Sequence, residues 1–219
     1  MNLDLFEQEE PQRRTESLAA GAVILRGFVH QQAPALMAAI NTVAAQAPFR
    51  HMITPGGHTM SVAMSNCGPL GWVTDEMGYR YSPFDPFSGQ RWPAMPDVFS
   101  RLAKAAAGEA GFADFEPDAC LINRYEVGAR LSLHQDKDEY HYRQPIVSFS
   151  LGLSAMFLFG GMARSDRTLR VPLAHGDVVV WGGESRLRYH GILPLKAGSA
   201  PSFLPGMYRF NLTFRHAGA

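Results

Sequence analysis

The spacing of apolar positions changes twice along the chain. "AGAVILRGF" (20–28) is a short continuous apolar run and predicts a buried strand. "PALMAAINTVAAQA" (34–47) repeats apolar residues at helical spacing, with Pro34 suited to a helix start. "MPDVFSRLAKAAAGEAG" (95–111) predicts a second helix; Pro96 and Asp97 fit its first turn and Gly111 its stop. Beyond residue 115 the period falls to two. Short strands are predicted at 120–125, 130–136, 146–152, 155–161, 167–173, 177–183, 186–192 and 209–215. Many short strands punctuated by Gly, Pro and Asp indicate a double-sheet sandwich or jelly roll. The expected class is α+β, mainly β, with N-terminal helices.

Between the helices, residues 48–94 are rich in Gly, Pro, Ser, Met and aromatics. Thr59–Met64 alternates weakly and suits a hairpin strand; the remainder reads as long loops, ordered because of its aromatics. Residues 1–17 read as a flexible polar leader. No repeat, low-complexity tract or linker interrupts the rest, so 18–219 is expected to be one domain, with 48–94 as a flap and 116–219 as the jelly-roll core.

Composition narrows the class without naming a chemistry. An apolar fraction of 46% and a charged fraction of 18% suit a globular protein. No apolar run of about 18 residues is present, and the acidic start lacks the features of a secretory signal. Two cysteines, Cys67 and Cys120, do not make a disulfide framework, which points to a reducing cytoplasm. Net charge is zero, but four acids lie within the first ten residues. The rest of the chain therefore carries 20 basic against 16 acidic residues, and 17 of the basic residues are arginine. That excess permits a polyanionic partner without requiring one.

The chemistry begins at "LSLHQDKDE" (131–139). Strand side chains alternate, so Ser132, His134 and Asp136 share one face. A His-x-Asp pair can hold one metal ion, and two His plus one carboxylate is the facial set of non-haem iron(II) oxygenases. His175-Gly176-Asp177 is a rival His-x-Asp, but it holds a glycine and opens an apolar run, so it reads as a turn. His190 is the best downstream third ligand. A hydrogen-bonded strand end remains the plain alternative. In "RFNLTFR" (209–215), Arg209, Asn211, Thr213 and Arg215 share a face, opposite Phe210, Leu212 and Phe214. That polar face is either solvated or turned inward to bracket a dicarboxylate. Asn123 and Tyr125 share a face in the same way and add donors. A metal triad beside such a clamp implies an oxygenase that uses 2-oxoglutarate.

At these residues the chain resembles the AlkB family of Fe(II)/2-oxoglutarate-dependent dioxygenases, which remove alkyl groups from nucleic-acid bases. The likeness runs from "LAAGAVILRGF" to "FNLTFRHAG" and is carried by "TPGGHTMSVAMSNCG", "WPAMP", "PDACLINRY", "LSLHQDKDE", "HGDVVVWGGESRLRYHGI" and "NLTFR". It implies a double-stranded β-helix, with 48–94 as a nucleotide-recognition flap. It implies His134, Asp136 and His190 as iron ligands and removes His175 and Asp177 from that role. Asn123, Tyr125, Arg209, Asn211 and Arg215 match positions that hold 2-oxoglutarate, Arg209 at the distal carboxylate and Arg215 at the one near iron. Trp72 matches an aromatic that stacks on the flipped base opposite His134. Tyr79 and Arg164 match residues near the base and its nucleotide, and Asp138 an acid beside the damaged base. The chain departs from the family at His58 in "PGGH", in "EYHYRQ" (139–144) and in the segment preceding the last strand, within "PSFLPGMYRF".

The activity so implied is oxidative demethylation of 1-methyladenine- and 3-methylcytosine-type bases. Fe(II), 2-oxoglutarate and O2 are the cofactors, and formaldehyde, succinate and CO2 the products. The implied partner is alkylated single- or double-stranded DNA, with RNA as a second substrate, and a monomer with no membrane is the default. Three other classes compete. A zinc hydrolase would not need the arginine face; a silent binding module would not need an intact triad; an oxygenase of small molecules, lipids or proteins would not need Trp72, Tyr79 and Arg164.

Overall fold

The computed structural model describes residues 13–202, 204 and 206–218. Fourteen strands and two α-helices follow in chain order: β1 (Arg14–Ala19), β2 (Ala22–Arg26), α1 (Ala33–Gln46), β3 (Arg50–Ile53), β4 (Thr59–Cys67), β5 (Gly71–Asp75), β6 (Gly78–Ser82), α2 (Asp97–Glu109), β7 (Ala119–Tyr125), β8 (Leu131–His134), β9 (Ile146–Gly152), β10 (Ala155–Phe159), β11 (Leu169–Leu173), β12 (Val178–Trp181), β13 (His190–Ile192) and β14 (Arg209–Arg215). An eight-stranded sheet runs β1-β2-β12-β9-β14-β7-β4-β3, and a four-stranded sheet runs β11-β10-β13-β8. All the named strand pairs are antiparallel.

The large sheet is covered on both faces, and side-chain alternation sorts its residues between two cores. Val147, Phe149, Val178, Val180, Leu212 and Phe214 pack against α1 and α2, through residues such as Leu36, Ile40, Phe99 and Ala106. The intervening Ile146, Val179 and Trp181 point the other way and meet Phe157, Phe159 and Ile192 of the small sheet. A strand buried on both faces loses the apolar-polar alternation that marks a half-exposed one. This is why β12 reads as an unbroken "VVVW". β14 keeps its alternation although all seven residues are buried. Its phenylalanines and leucine face the helices, so Arg209, Asn211, Thr213 and Arg215 face inward between the sheets.

Both predicted helices form, with Pro34 in the first turn of α1 and Asp97 in that of α2. The eight predicted C-terminal strands are all present, several shortened. The first-strand prediction at 20–28 contracts to β2. Two readings change. Residues 14–17, read as part of the leader, pair with β2 as the edge strand β1; positions 1–12 lie outside the described residues. Residues 48–94 hold more than one hairpin strand: β3 and β4 extend the large sheet, and β5 and β6 form a separate two-stranded ribbon. The ribbon is hard to read because "GWVTD" lacks a period and the alternation of "GYRYS" rests on two tyrosines alone. Its turn is set by Gly78 at φ +108°, a conformation that disfavours a side chain.

Candidate active site

β8 and β13 are neighbours in the small sheet, and their register sets His134 directly opposite His190. The strands approach closely because residue 191 is glycine: a Cβ there would meet the Leu131 carbonyl oxygen at 2.7 Å. Asp136 follows the end of β8. The three residues bring one potential ligand atom each within 4.8 Å of one another. His134 Nε2 is 3.6 Å from Asp136 Oδ1, and His190 Nε2 is 3.8 Å from Asp136 Oδ2.

The imidazoles are presented in a ligand-ready form. His134 Nδ1 lies 2.8 Å from the Ser132 carbonyl and His190 Nδ1 lies 3.1 Å from the Arg188 carbonyl. A carbonyl only accepts, so each Nδ1 carries a proton, and each Nε2 is the ring atom turned toward Asp136. Burial, then the neighbouring His134, pushes the His190 pKa down to about 4, which keeps that ring neutral at pH 7. For Asp136, burial opposes ionisation, but Arg215, His190 and His134 outweigh it, so the carboxyl stays well below its usual range. Two imidazole nitrogens and one carboxylate fit iron(II).

The inward face of β14 lies beside this cluster. Cross-strand register sets Arg209 against Tyr125 and Asn211 against Asn123. Arg209 is 1% exposed, yet among the described residues it has no carboxylate partner; it donates to Ser150 Oγ at 2.9 Å, and its Nε has no partner. Burial, against Tyr125 and Asp177, brings its pKa down to about 10, so it remains a cation. A buried, uncompensated guanidinium is costly unless an anion joins it. Arg215 donates to Asp136 Oδ2 from Nε at 2.9 Å and Nη2 at 2.6 Å, leaving Nη1 without a partner. Asn211 donates to Ser148 Oγ at 2.7 Å and accepts from Thr213 Oγ1 at 3.0 Å. Free guanidinium donors at two points along one buried face fit a dicarboxylate such as 2-oxoglutarate.

The β5–β6 ribbon supplies a different surface. Trp72 and Tyr79 stack with centroids 5.7 Å apart and planes 18° from parallel. The Trp72 indole N–H donates to Asp138 Oδ2 at 2.8 Å. Tyr79 is 50% exposed. Three of the residues matched to base binding are therefore joined. Arg164 is not joined to them: it stands exposed in the β10–β11 loop and makes no side-chain hydrogen bond or ion pair among the described residues.

The rival His-x-Asp is occupied elsewhere. Asp177 accepts from Arg26 Nη1 at 2.7 Å and from the Gly27 and Ala174 amides, while His175 Nδ1 accepts from the Gly152 amide. Sequence reasoning passed over Ser148, Ser150, Tyr81, Glu139 and Arg186, which support the site. The one signal for them was the last acid of "DKDE": Glu139 is buried where Asp138 is exposed.

The profile of the 2OG-Fe(II) oxygenase superfamily matches residues 21–215. The chain belongs to this family. It is 62% identical to "Alpha-ketoglutarate-dependent dioxygenase AlkB" of Escherichia coli (strain K12), over 99% of this chain and 98% of that protein. It is 33% identical to "Nucleic acid dioxygenase ALKBH1" of Homo sapiens, over 56% of this chain and 31% of that protein. The solved structure described as "The structure of OsALKBH1" superposes with a TM-score of 0.82 at 32% identity, covering 92% of this chain and 99% of that one. Membership in the superfamily makes the chain a 2-oxoglutarate-dependent dioxygenase and agrees with the donor set of the triad. No described helix is long and apolar enough to cross a membrane.

Proposed function

We propose that this dioxygenase removes methyl groups oxidatively from 1-methyladenine- and 3-methylcytosine-type bases in DNA, with RNA as a second substrate. It would thereby reverse alkylation damage directly. The observation that carries the reading is the conjunction, in one chain, of the His134–Asp136–His190 cluster, the unpaired buried Arg209, and a stacked aromatic pair joined to an acid. The names of the AlkB and ALKBH1 relatives agree with an oxygenase and with a nucleic-acid substrate. All the named site residues come from one chain, so a monomer suffices for this reading. Free Cys67 and Cys120, directly opposite each other on β4 and β7, support a reducing cytoplasm.

In this reading His134, Asp136 and His190 hold iron(II). When bound, the iron with 2-oxoglutarate and O2 supplies the oxidising power that converts the methyl group to formaldehyde, with succinate and CO2 as co-products. The protein's own part is placement and charge. Arg209, beside Tyr125, receives the distal carboxylate of 2-oxoglutarate, and Arg215 the one near the metal, with Asn123 and Asn211 lining the space between. A base in a stacked duplex is out of reach, so the target must be flipped or single-stranded. Residues 48–94 act as the recognition flap for it. Trp72 stacks on the extruded base, with Tyr79 and Arg164 near its nucleotide. A methylated adenine or cytosine is cationic and pairs poorly, so it costs less to extrude. The aromatic face attracts its charge, and Asp138 supplies a counter-charge.

The test is mass spectrometry of a single-stranded oligonucleotide bearing one 3-methylcytosine, incubated in air with protein, iron(II), ascorbate and 2-oxoglutarate. Loss of one methylene mass is expected, abolished by His134→Ala and by omitting 2-oxoglutarate. Conversion of 2-oxoglutarate without change in the oligonucleotide would move the substrate elsewhere.

A further inference from the structure

Behind the metal cluster lies a set of four charges, two of which, Glu139 and Arg186, the proposed reaction does not use. Asp136, Glu139, Arg186 and Arg215 are all at most 9% exposed and sum to zero. Arg186 donates from Nη1 to the Asp136 carbonyl at 2.8 Å and from Nε to the Gln144 carbonyl at 3.0 Å. Its Nη2 is 3.1 Å from Glu139 Oε2, and the Tyr142 ring lies 5.5 Å from its guanidinium carbon. Glu139 Oε1 accepts from the Tyr81 hydroxyl at 3.0 Å and lies 3.3 Å from Arg215 Nε. The same Nε donates to Asp136 Oδ2 at 2.9 Å. Two carboxylates therefore stand within reach of one guanidinium, and a second guanidinium engages only one of them by its side chain.

We propose that Arg186 is a positioning residue for the cosubstrate: by taking up the charge of Glu139, it keeps the Arg215 guanidinium on Asp136 and open to the carboxylate of a 2-oxo acid. This rests on the reading of Arg215 given above. Without Arg186, Glu139 would be a buried anion with Arg215 as its nearest cation. Charge pairs at such depth interact far more strongly than in water. Glu139 would draw Arg215 toward itself and repel the incoming dianion. The role also accounts for the segment 139–144. It supplies the acid, the Tyr142 ring that covers Arg186 and the Gln144 carbonyl that Arg186 bonds, so its sequence acts through cosubstrate placement.

The test is calorimetric titration of 2-oxoglutarate into anaerobic, manganese(II)-loaded protein, with thermal unfolding of each variant alongside. Arg186→Met is expected to weaken binding about tenfold, and adding Glu139→Gln to it should restore most of that loss. Oligonucleotide KM should move less than 2-oxoglutarate KM. A purely structural Arg186 would not be rescued by removing an acid. Should Arg186→Met not fold, Glu139→Gln alone decides: affinity within about twofold of wild type is expected. Tenfold weaker binding would show that Glu139 holds Arg215 in place, and would overturn the proposal. An unaffected Arg186→Met, or a double variant no tighter than the single one, overturns the role of Arg186 alone. Wild-type protein that binds no 2-oxoglutarate overturns the reading of Arg215 as well.

Discussion

The inward face of β14 and the β5–β6 ribbon both present polar and aromatic groups toward the site, and they are held in opposite ways. β14 is paired along its whole length with β7 and β9 and is buried throughout. Its arginines are fixed by register before any ligand arrives. The ribbon is a two-stranded sheet of its own, tied to the β8–β9 loop by Trp72 to Asp138 and Tyr81 to Glu139. Two-stranded ribbons are marginal without such ties. The contrast assigns the tasks. In the proposed function, chemistry that needs fixed atoms falls to the deep strands, and contact with a bulky, variable polymer to the partly exposed ribbon.

The sharpest way to break the comparison is at Arg209. Arg209→Met should weaken 2-oxoglutarate binding about 100-fold, the scale of a lost buried charge-assisted pair, and leave oligonucleotide KM nearly unchanged. Because the cation has no acid partner among the described residues, the substitution should not lower the unfolding temperature of the ligand-free protein. A large drop in that temperature would mean that Arg209 is structural. Next in size is the ribbon. Trp72→Ala should raise KM for a 3-methylcytosine oligonucleotide about tenfold, from a stacking contribution of about 1–3 kcal/mol, with 2-oxoglutarate KM untouched.

A smaller effect isolates charge from hydrogen bonding. Asp138→Asn keeps an acceptor for the Trp72 indole but removes the counter-charge. It should cost about twofold to fivefold in preference for a cationic methylated base over a neutral adduct, and the difference should shrink at high salt because Asp138 is exposed. Equal losses for both bases would remove Asp138 from charge recognition.

The smallest effect lies outside both regions. Across the β1–β2 pair, Arg26 draws the Glu16 pKa down to about 2 against the cost of burial, with Arg14 assisting. The folded state thus holds the charged form more tightly than the unfolded chain does. The stabilisation is complete above the ordinary value of 4.5 and fades as pH falls through about 2. Glu16→Gln should flatten unfolding temperature against pH in that acid window and leave activity at pH 7 unchanged. Equal slopes for both proteins would contradict the assignment.

Why one region was legible and the other was not follows from the same contrast. The alternation of "RFNLTFR" survives burial because its two faces meet different surroundings, so Arg209 and Arg215 could be read as one face, either solvated or turned inward, and the fold turns it inward. His134 and Asp136 share a short motif, and His190 could be ranked as their partner, although residue spacing carries no information about the register that sets it opposite His134. Of the ribbon strands β5 carries no period and β6 only two alternating tyrosines, and β1 is a polar edge strand, so both regions read as irregular. Glu139 and Arg186 were missed because a buried ion pair resembles a solvated charge until both partners are placed. Arg164 was matched by position alone, and no contact in the fold adds to that match.

The division of labour is tested most directly by counting two products in one reaction. Succinate and demethylated oligonucleotide should form in equal amounts with wild-type protein and a 3-methylcytosine oligonucleotide. With Trp72→Ala at subsaturating oligonucleotide, both products should fall about tenfold together and recover at saturating oligonucleotide, while excess 2-oxoglutarate restores nothing. If excess 2-oxoglutarate restores the loss, or saturating oligonucleotide does not, the ribbon and the deep strands do not divide substrate recognition from cosubstrate binding, and the account is wrong.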